Sequence, residues 1–305
     1  MPFDGLLVID KPAGLTSHDV VARVRRLLGV RRVGHGGTLD PDATGVLLVA
    51  IGQATRFFPY LSKENKVYEG TIRLGFATDT YDASGRPSTE ESRDFPGRED
   101  LAVAMKSFEG TTPQTPPSYS AKKLGGKPVY KLARAHKEFT LKPSVVTVEW
   151  FRLGDYRPPL ADFEAKCSAG TYIRSLAHDL GLRLGCGAHL SALRRTSVGP
   201  YALGDAVPLD ALEAPGGRDA ASALILPLER LLPGLPGVTV LPEAELRVRN
   251  GAALGPEHLG PPPPGAPPFP REALVLRLAG ESGKLLALSR PSPDGESLHP
   301  FLVIT

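Results

Sequence analysis

Apolar residues along this chain fall into runs and periods that separate strands from helices. Residues 4–10 (DGLLVID) form a short continuous apolar run, which predicts a buried strand. Ser17 then stands where a helix cap belongs, and Val20, Val21, Val24, Leu27 and Leu28 recur at helical spacing while Arg23, Arg25 and Arg26 point elsewhere. In residues 30–45 (VRRVGHGGTLDPDATG), Gly34, Gly36, Gly37 and Pro41 oppose a regular helix, so the segment reads as a loop held between that helix and a strand, VLLVAIG. Tyr68 to Leu74 alternates as a strand does, Arg98 to Phe108 is helical in period, and TPPSYSAKKLGGKP reads as a mobile basic loop. Strands at Ser144–Leu153 and Phe163–Cys167 lead to Gly170, with a helix over Thr171–Leu184 capped by Thr171.

Strands and helices mix here without strict βαβ alternation, which favours an α+β fold over a doubly wound parallel sheet. The prolines and glycines of LLPGLPG mark a boundary, giving a domain over residues 1–234, with a mobile basic insertion around 111–143, and a second over 235–305. In the second, LGPPPPGAPPFP is a stiff polyproline connection, and ALVLRLAG, KLLALS and FLVIT are short strands of a compact β module.

Length and composition narrow the class. The chain has 305 residues, enough for about two domains of ordinary size. With 41% hydrophobic and 23% charged residues it lies in the globular range, which excludes wholesale disorder. No apolar run approaches the roughly 20 residues that span a bilayer, and acidic Asp4 and Asp10 bracket the first apolar stretch, so a cytoplasmic protein without a membrane partner is expected. The two cysteines, Cys167 and Cys186, belong to no C-x-x-C pair and are expected as buried, reduced thiols. Net charge is +3, but residues 235–305 carry six Lys+Arg against seven Asp+Glu, which leaves +4 for the first 234 residues. A polyanion should meet that part first.

Three places could carry chemistry. Asp40 and Asp42 sit in a glycine-framed loop, where Asp-Pro and Asp-x-Thr are also ordinary turn formers. That loop lacks the lysine of a P-loop, and Leu39 takes the last position of G-x-G-x-x-G, so neither nucleotide cradle fits. In CSAGTYIRSLAHDLG, Arg174 falls in the first turn of a helix, where the helix dipole disfavours a cation, so an anionic partner is expected. His178-Asp179 and Cys186-x-x-His189 share no recognisable ligand spacing and are read as structural, with no metal. Aromatics interleaved with cations, at Tyr60, Lys63, Lys66 and Tyr68 and again at Tyr119, Lys122, Lys123, Lys127, Tyr130, Lys131 and Arg134, suit phosphates and stacked bases of RNA.

Taken together, IDKPAGLTSHDVV, VGHGGTLDPDATGVLLVAIG, KVYEGTIRLG, PPSYSAKK and CSAGTYIRSLAHDLGLRLGCGAHLSALRRTSVGP resemble the bacterial TruB-type tRNA pseudouridine synthases, in order through nearly the whole first 200 residues. The C-terminal module is similar to a PUA domain, an RNA-binding β barrel, although the proline-rich insertion departs from it. The resemblance implies a mixed, largely antiparallel sheet flanked by helices, plus that small barrel. It implies an isomerase that converts the T-loop uridine of tRNA, position 55, to pseudouridine. Asp40 in GGTLDP corresponds to the family's essential aspartate, and Tyr68 in KVYEG to the tyrosine that packs on the target uracil. Tyr172 and Arg174 in GTYIR match the residues that line the pocket and pair with the aspartate. His35 matches a histidine that helps place the flipped nucleotide, Leu193 falls at a base-contacting leucine, and Lys11-Pro12 matches a motif that supports the pocket.

Breaking the C1′–N bond of uridine and rejoining C5 to C1′ is redox-neutral, so no cofactor is expected. One ionised carboxylate is needed, as nucleophile or base, with a guanidinium beside it to lower its pKa. The expected partner is the T stem-loop of tRNA, with no obligate protein partner and a monomeric chain. Two other classes compete: a noncatalytic RNA-binding or tRNA-folding protein, and a glycoside hydrolase using Asp40 with Asp42.

Overall fold

The computed structural model describes residues 3–120, 123–124, 127–129, 139, 141–214, 216–261 and 274–304. Much of the expected basic loop, with Lys122, Tyr130, Lys131 and Arg134, and most of the polyproline run lie outside the described residues.

The first strands are β1 (Gly5–Lys11), β2 (Val33–Gly36), β3 (Thr44–Ile51) and β4 (Lys66–Leu74). They are followed by β5 (Gly110–Gln114), the short pair β6 (Lys123–Leu124) and β7 (Lys127–Pro128), β8 (Ser144–Arg157), β9 (Leu160–Cys167) and β10 (Ala188–Val198). Short strands β11 (Tyr201–Ala202), β12 (Val207–Pro208) and β13 (Leu226–Pro227) complete the central sheet, whose order is β12-β1-β3-β10-β4-β9-β8-β5. β2 pairs with β3, β13 with β1 and β11 with β10. Only β1 with β12 and β3 with β10 run parallel; the other neighbours are antiparallel. The α+β expectation with a mixed, largely antiparallel sheet therefore agrees with the structure.

Both faces of β1 and β3 are covered, which explains why their sequences are continuously apolar rather than alternating. Leu7, Ile9, Leu47, Val49 and Ile51 face one cluster with Val20, Val24 and Leu28 of helix α1 (Ser17–Leu28). Leu6, Val8, Val46, Leu48 and Ala50 face a second cluster, closed by Leu285, Leu288 and Leu302 from the C-terminal part of the chain.

That C-terminal part corrects the expectation of a barrel. Its strands β14 (Gly237–Val240), β15 (Leu276–Gly280), β16 (Leu285–Pro291) and β17 (Leu298–Val303) form an open four-stranded sheet in sequence order. The edge strands β14 and β17 do not pair with each other among the described residues. Each takes only an isolated bridge, Val240 with Leu259 and Leu298 with Leu254. Closure is unnecessary because cover comes from outside the sheet: one apolar cluster is shared with β1 and β3, and another collects Val248, Leu254 and Leu259.

Two local expectations also change. Helix α1 is capped by Thr16, not Ser17, in a capping box with Asp19: Asp19 N–H donates to Thr16 Oγ1 (3.1 Å) and Thr16 N–H to Asp19 Oδ2 (2.8 Å). Residues 33–36 of the expected loop are strand β2, because glycine does not prevent edge pairing along β3; the irregular part is residues 37–43. The remaining helices include α2 (Phe58–Leu61), α3 (Arg98–Lys106) and α4 (Ile173–Leu184). No helix among the described residues is long and apolar enough to cross a membrane.

Gly45 shows how tightly β3 meets β10. Its φ is +98°, and a Cβ there would lie 2.2 Å from Arg195 O and 2.8 Å from Arg195 N. Gly45→Ala should therefore destabilise the protein by more than about 3 kcal/mol in urea unfolding, since both strain and backbone overlap oppose it. An unfolding midpoint like that of the wild type would show that the two strands can separate freely at this point.

Candidate active site

The 37–43 loop is fastened on two sides. Lys11, fully buried at the end of β1, donates from Nζ to the carbonyls of Pro12 (2.8 Å), Leu15 (2.7 Å) and Pro41 (2.9 Å). Burial lowers its pKa, with the nearby acids Asp42 and Asp40 opposing. Ser17, freed from capping, donates from Oγ to Leu39 O (3.1 Å) and accepts from Leu39 N–H (2.9 Å). On the other side Arg195, 1% exposed, donates to Val46 O (2.7 Å) and Gly37 O (3.1 Å). Asp40 thus sits on a short loop anchored through its backbone at Gly37, Leu39 and Pro41.

Its partner arrives from α4. Arg174 forms a bidentate pair with Asp40, Nε to Oδ2 at 3.0 Å and Nη2 to Oδ1 at 3.1 Å, and Nη1 lies 3.2 Å from Asp82 Oδ2. Nη1 also donates to Thr80 O (3.2 Å) and Nη2 to Tyr119 O (3.1 Å). Two carboxylates and two carbonyls thus compensate a cation in the first turn of a helix, as its unfavourable position required. The expected cap differs: Tyr172 is the N-cap, and Thr171 Oγ1 donates instead to Ser168 O (2.9 Å). The side chain of Gln114 holds the Tyr172 backbone at both ends, accepting from its N–H (2.8 Å) and donating to its carbonyl (3.0 Å).

The expected lowering of the Asp40 pKa is reversed in sign. Burial raises it above the ordinary carboxylate value; Arg174 pulls it back, while Asp82 pushes it further up. Arg174 therefore limits a desolvation penalty rather than creating an unusually strong acid.

A cleft of about 760 Å³ opens over this pair, lined by Asp40, Arg174, Asp82, His18 and Leu193 among others. Leu193 lies on β10, opposite Gly70 of β4. Tyr68 lies on β4 directly across from Arg195 and is 6% exposed; burial raises its phenol pKa, and the Arg195 guanidinium opposes this. His35 is on β2, edge-to-face with His18 at 5.2 Å between ring centres, and burial with His18 and Arg195 lowers its pKa to about 4. It is neutral at pH 7, and its neighbour His18, not His35, lines the cleft. Tyr172 stands beside Ser120 at the start of α4, and Pro12 is exposed next to Lys11. Asp42 is exposed at the rim. Both cysteines are free and buried. No cluster of metal-ligating side chains occurs among the described residues.

Sequence reasoning missed Asp82 and Arg195. Asp82 lies in TDTYDASG, which reads as a simple turn, and Oδ1 does accept turn-forming bonds from Thr80 Oγ1 (2.7 Å) and Ser84 N–H (3.0 Å). Its other oxygen faces Arg174. The signal for Arg195 was strand alternation: Arg194 pairs with Asp10 (2.6 Å) at the partly exposed face, so its neighbour must point inward.

Comparison with known proteins points to one family. Residues 25–173 match the TruB family pseudouridylate synthase N-terminal domain, and residues 174–233 the tRNA pseudouridylate synthase B C-terminal domain. The chain is 43% identical over 296 residues to tRNA pseudouridine synthase B of Syntrophobacter fumaroxidans, covering 96% of this chain and 94% of that one. It is 45% identical over 248 residues to the protein of the same name from Syntrophotalea carbinolica, covering 81% of each. A crystal structure of a Cbf5-Nop10-Gar1 complex superposes with TM-score 0.74 at 28% identity, covering 100% of this chain and 85% of that one. An H/ACA RNP bound to a substrate RNA containing 2′-deoxyuridine superposes at TM-score 0.73 and 26% identity, covering 100% and 86%. On this evidence the chain belongs to the TruB family of pseudouridylate synthases.

Proposed function

We propose that this protein is the isomerase that converts the T-loop uridine of tRNA, position 55, to pseudouridine, with Asp40 as its catalytic carboxylate. The observation that carries this reading is the bidentate Asp40–Arg174 pair on the floor of a cleft large enough for one nucleoside. A pure RNA clamp has no use for a carboxylate aimed at a polyanion. Ionised Asp40 supplies the nucleophile or base that frees the base from C1′; C5 then bonds to C1′ and gives up its proton, and the freed N1 takes a proton up. No atom or electron is gained overall. In this reading Leu193, which lines the cleft, and Tyr68 and Tyr172, which stand behind its lining, hold the uracil, His18 and the neutral His35 support the entry wall, and Lys11-Pro12 supports the Asp40 loop. In this reading residues 1–234 carry the reaction and residues 235–305 form an appended RNA-facing unit. All of these groups come from one chain, so the proposed site asks for no residue of a partner subunit.

A uridine stacked in the T loop is out of reach until it flips, at a cost of a few kcal/mol, so phosphate contacts must hold the stem-loop while it does. Tritium release from [5-³H]uridine-labelled tRNA, with the product mapped to its nucleotide, tests the reading. Release confined to position 55 and tRNA affinity that falls as salt rises are expected. Binding without release would reassign the chain to the noncatalytic class.

A further inference from the structure

Tyr81 has φ of +65°, a conformation that residues bearing a Cβ rarely adopt. It is one of two such non-glycine residues among those described, the other being Leu232. The strain falls within the 78–85 turn, between the two groups that turn gives to Arg174, the carbonyl of Thr80 and the carboxylate of Asp82. The Tyr81 ring lies flat on the ring of His178, 3.7 Å between centres and 10° between planes. His178 and Arg174 stand four residues apart on α4, hence on one face of that helix. Two side chains of one helix face therefore clasp the same turn, one by charge and one by stacking. The turn is pinned on its other side through its backbone: Ala83 N–H donates to Leu190 O (3.0 Å), and Leu190 N–H to Tyr81 O (3.0 Å). Nothing in the proposed chemistry uses Tyr81 or His178, and neither lines the cleft.

We infer that the Tyr81–His178 stack is a positioning device, which holds the 78–85 turn against α4 so that Thr80 and Asp82 fix Arg174 in its bidentate grip on Asp40. The contribution to rate rests on the catalytic reading of Asp40; the contribution to geometry does not. A glycine would adopt φ +65° without strain, yet a tyrosine occupies the position. The ring explains that choice: it gives the turn a contact on the helix that supplies the arginine. Both the strain and the stack then lie outside the reacting centre, and the consequence within it is the aim of one guanidinium.

Glycine and alanine at position 81 separate the two roles. Tyr81→Ala keeps the strain and loses the stack; Tyr81→Gly loses both. His178→Ala removes the stack from the other side. Single-turnover tritium release should fall about ten- to a hundredfold in all three variants with tRNA affinity unchanged, because a guanidinium displaced by a fraction of an ångström disturbs orientation rather than binding. Tyr81→Phe should turn over as the wild type does. The double variant Tyr81→Ala/His178→Ala should be no slower than either single one. Tyr81→Gly should be more stable than Tyr81→Ala and equally slow.

Hydrogen exchange at Arg174 Nε–H, followed by NMR, reads the positioning without any turnover. Exchange should be slow in the wild type and in Tyr81→Phe, and accelerate about tenfold or more in Tyr81→Ala and His178→Ala. Unchanged exchange would overturn the inference, as would wild-type rates in the stack variants while Asp40→Asn is inactive, or recovery of the rate by Tyr81→Gly. A wild-type protein that binds tRNA and never releases tritium would sink the catalytic reading alone, with the exchange measurement still deciding this one.

Discussion

Asp40→Asn should yield a folded protein that binds tRNA with wild-type affinity and turns over about 10⁴-fold more slowly, if at all. The amide fills the same volume and keeps one oxygen for Arg174, but it carries no charge and cannot act as nucleophile or base. Its cost to stability is small, about 1 kcal/mol in either direction, because two effects oppose. Burial already disfavours the charged form of Asp40, so neutralising it relieves desolvation. Against that, Arg174 loses one charged partner while retaining Asp82 at 3.2 Å. Single-turnover tritium release beside filter binding separates chemistry from affinity. Asp42→Asn is the matched control: its side chain is exposed at the rim, so near-normal activity is expected. If Asp42→Asn were as inactive as Asp40→Asn, a two-carboxylate reaction of the glycoside hydrolase kind would replace the present reading. An Asp40→Asn protein keeping a tenth of the rate would remove Asp40 from the chemistry.

Arg174→Met should lower turnover about 10²- to 10³-fold at pH 7 and change the shape of the pH profile. Without the guanidinium, desolvation and mutual repulsion act on Asp40 unopposed by their main counterweight, and its pKa, already raised, moves higher still. The reaction needs the ionised form, so the acid limb of the rate profile shifts to higher pH and part of the lost rate returns as the solution is made alkaline. Stability moves the other way. A carboxyl whose folded pKa exceeds its unfolded value favours the folded state at low pH, and that advantage is lost as pH rises from the unfolded value through the folded one. The variant should therefore be closest to wild type in stability below about pH 4 and weakest above its new folded pKa. At neutral pH the deficit should be about 2 to 3 kcal/mol, less than for a fully buried pair because the Asp40 side chain is 43% exposed to the cleft. A pH profile parallel to the wild type's would mean that Arg174 does not control the protonation of Asp40.

Most of the central sheet was legible because its strands carry the strongest pattern: continuous apolar runs where both faces are covered, alternation where one is. Element ends were less so. Ser17 and Thr16 are adjacent cap formers, and only the reciprocal bond from Asp19 decides between them. The 33–36 segment pairs despite its glycines because β3 offers a free edge there, a tertiary fact that no local propensity contains. The barrel failed for a similar reason: three short strand signals specify pairing but not what covers the faces, and here the central sheet shares that task. At the site, motifs located Asp40 and Arg174, and the dipole argument required an anion for Arg174 in advance. Asp82 stayed hidden because one of its oxygens does ordinary turn duty, and the sign of the Asp40 shift was missed because sequence reveals the neighbouring charge but not the amount of water excluded.

The place of β10 in the sheet governs the order in which this protein can be assembled during synthesis. β3 and β4, separated by only fourteen residues, do not pair with each other; β10, made more than a hundred residues later, lies between them. A nascent chain that ends just before residue 188 therefore holds Asp40, Tyr68 and Arg174 but has no strand to join the β1–β3 unit to the β4–β9–β8 unit. The edge of β4 stays unpaired, of the kind other chains can capture, for as long as the ribosome takes to add the remainder, whereas β3 already carries β2 along residues 48–51 and leaves only Thr44 and Gly45 for β10. Insertion of β10 covers the β4 edge, ties it to β3 at Thr44 and Gly45, buries Arg195 against Tyr68 and the Gly37 carbonyl, and brings Leu193 to the cleft. Activity in this architecture arrives late and all together, and an N-terminal fragment has none of it to offer.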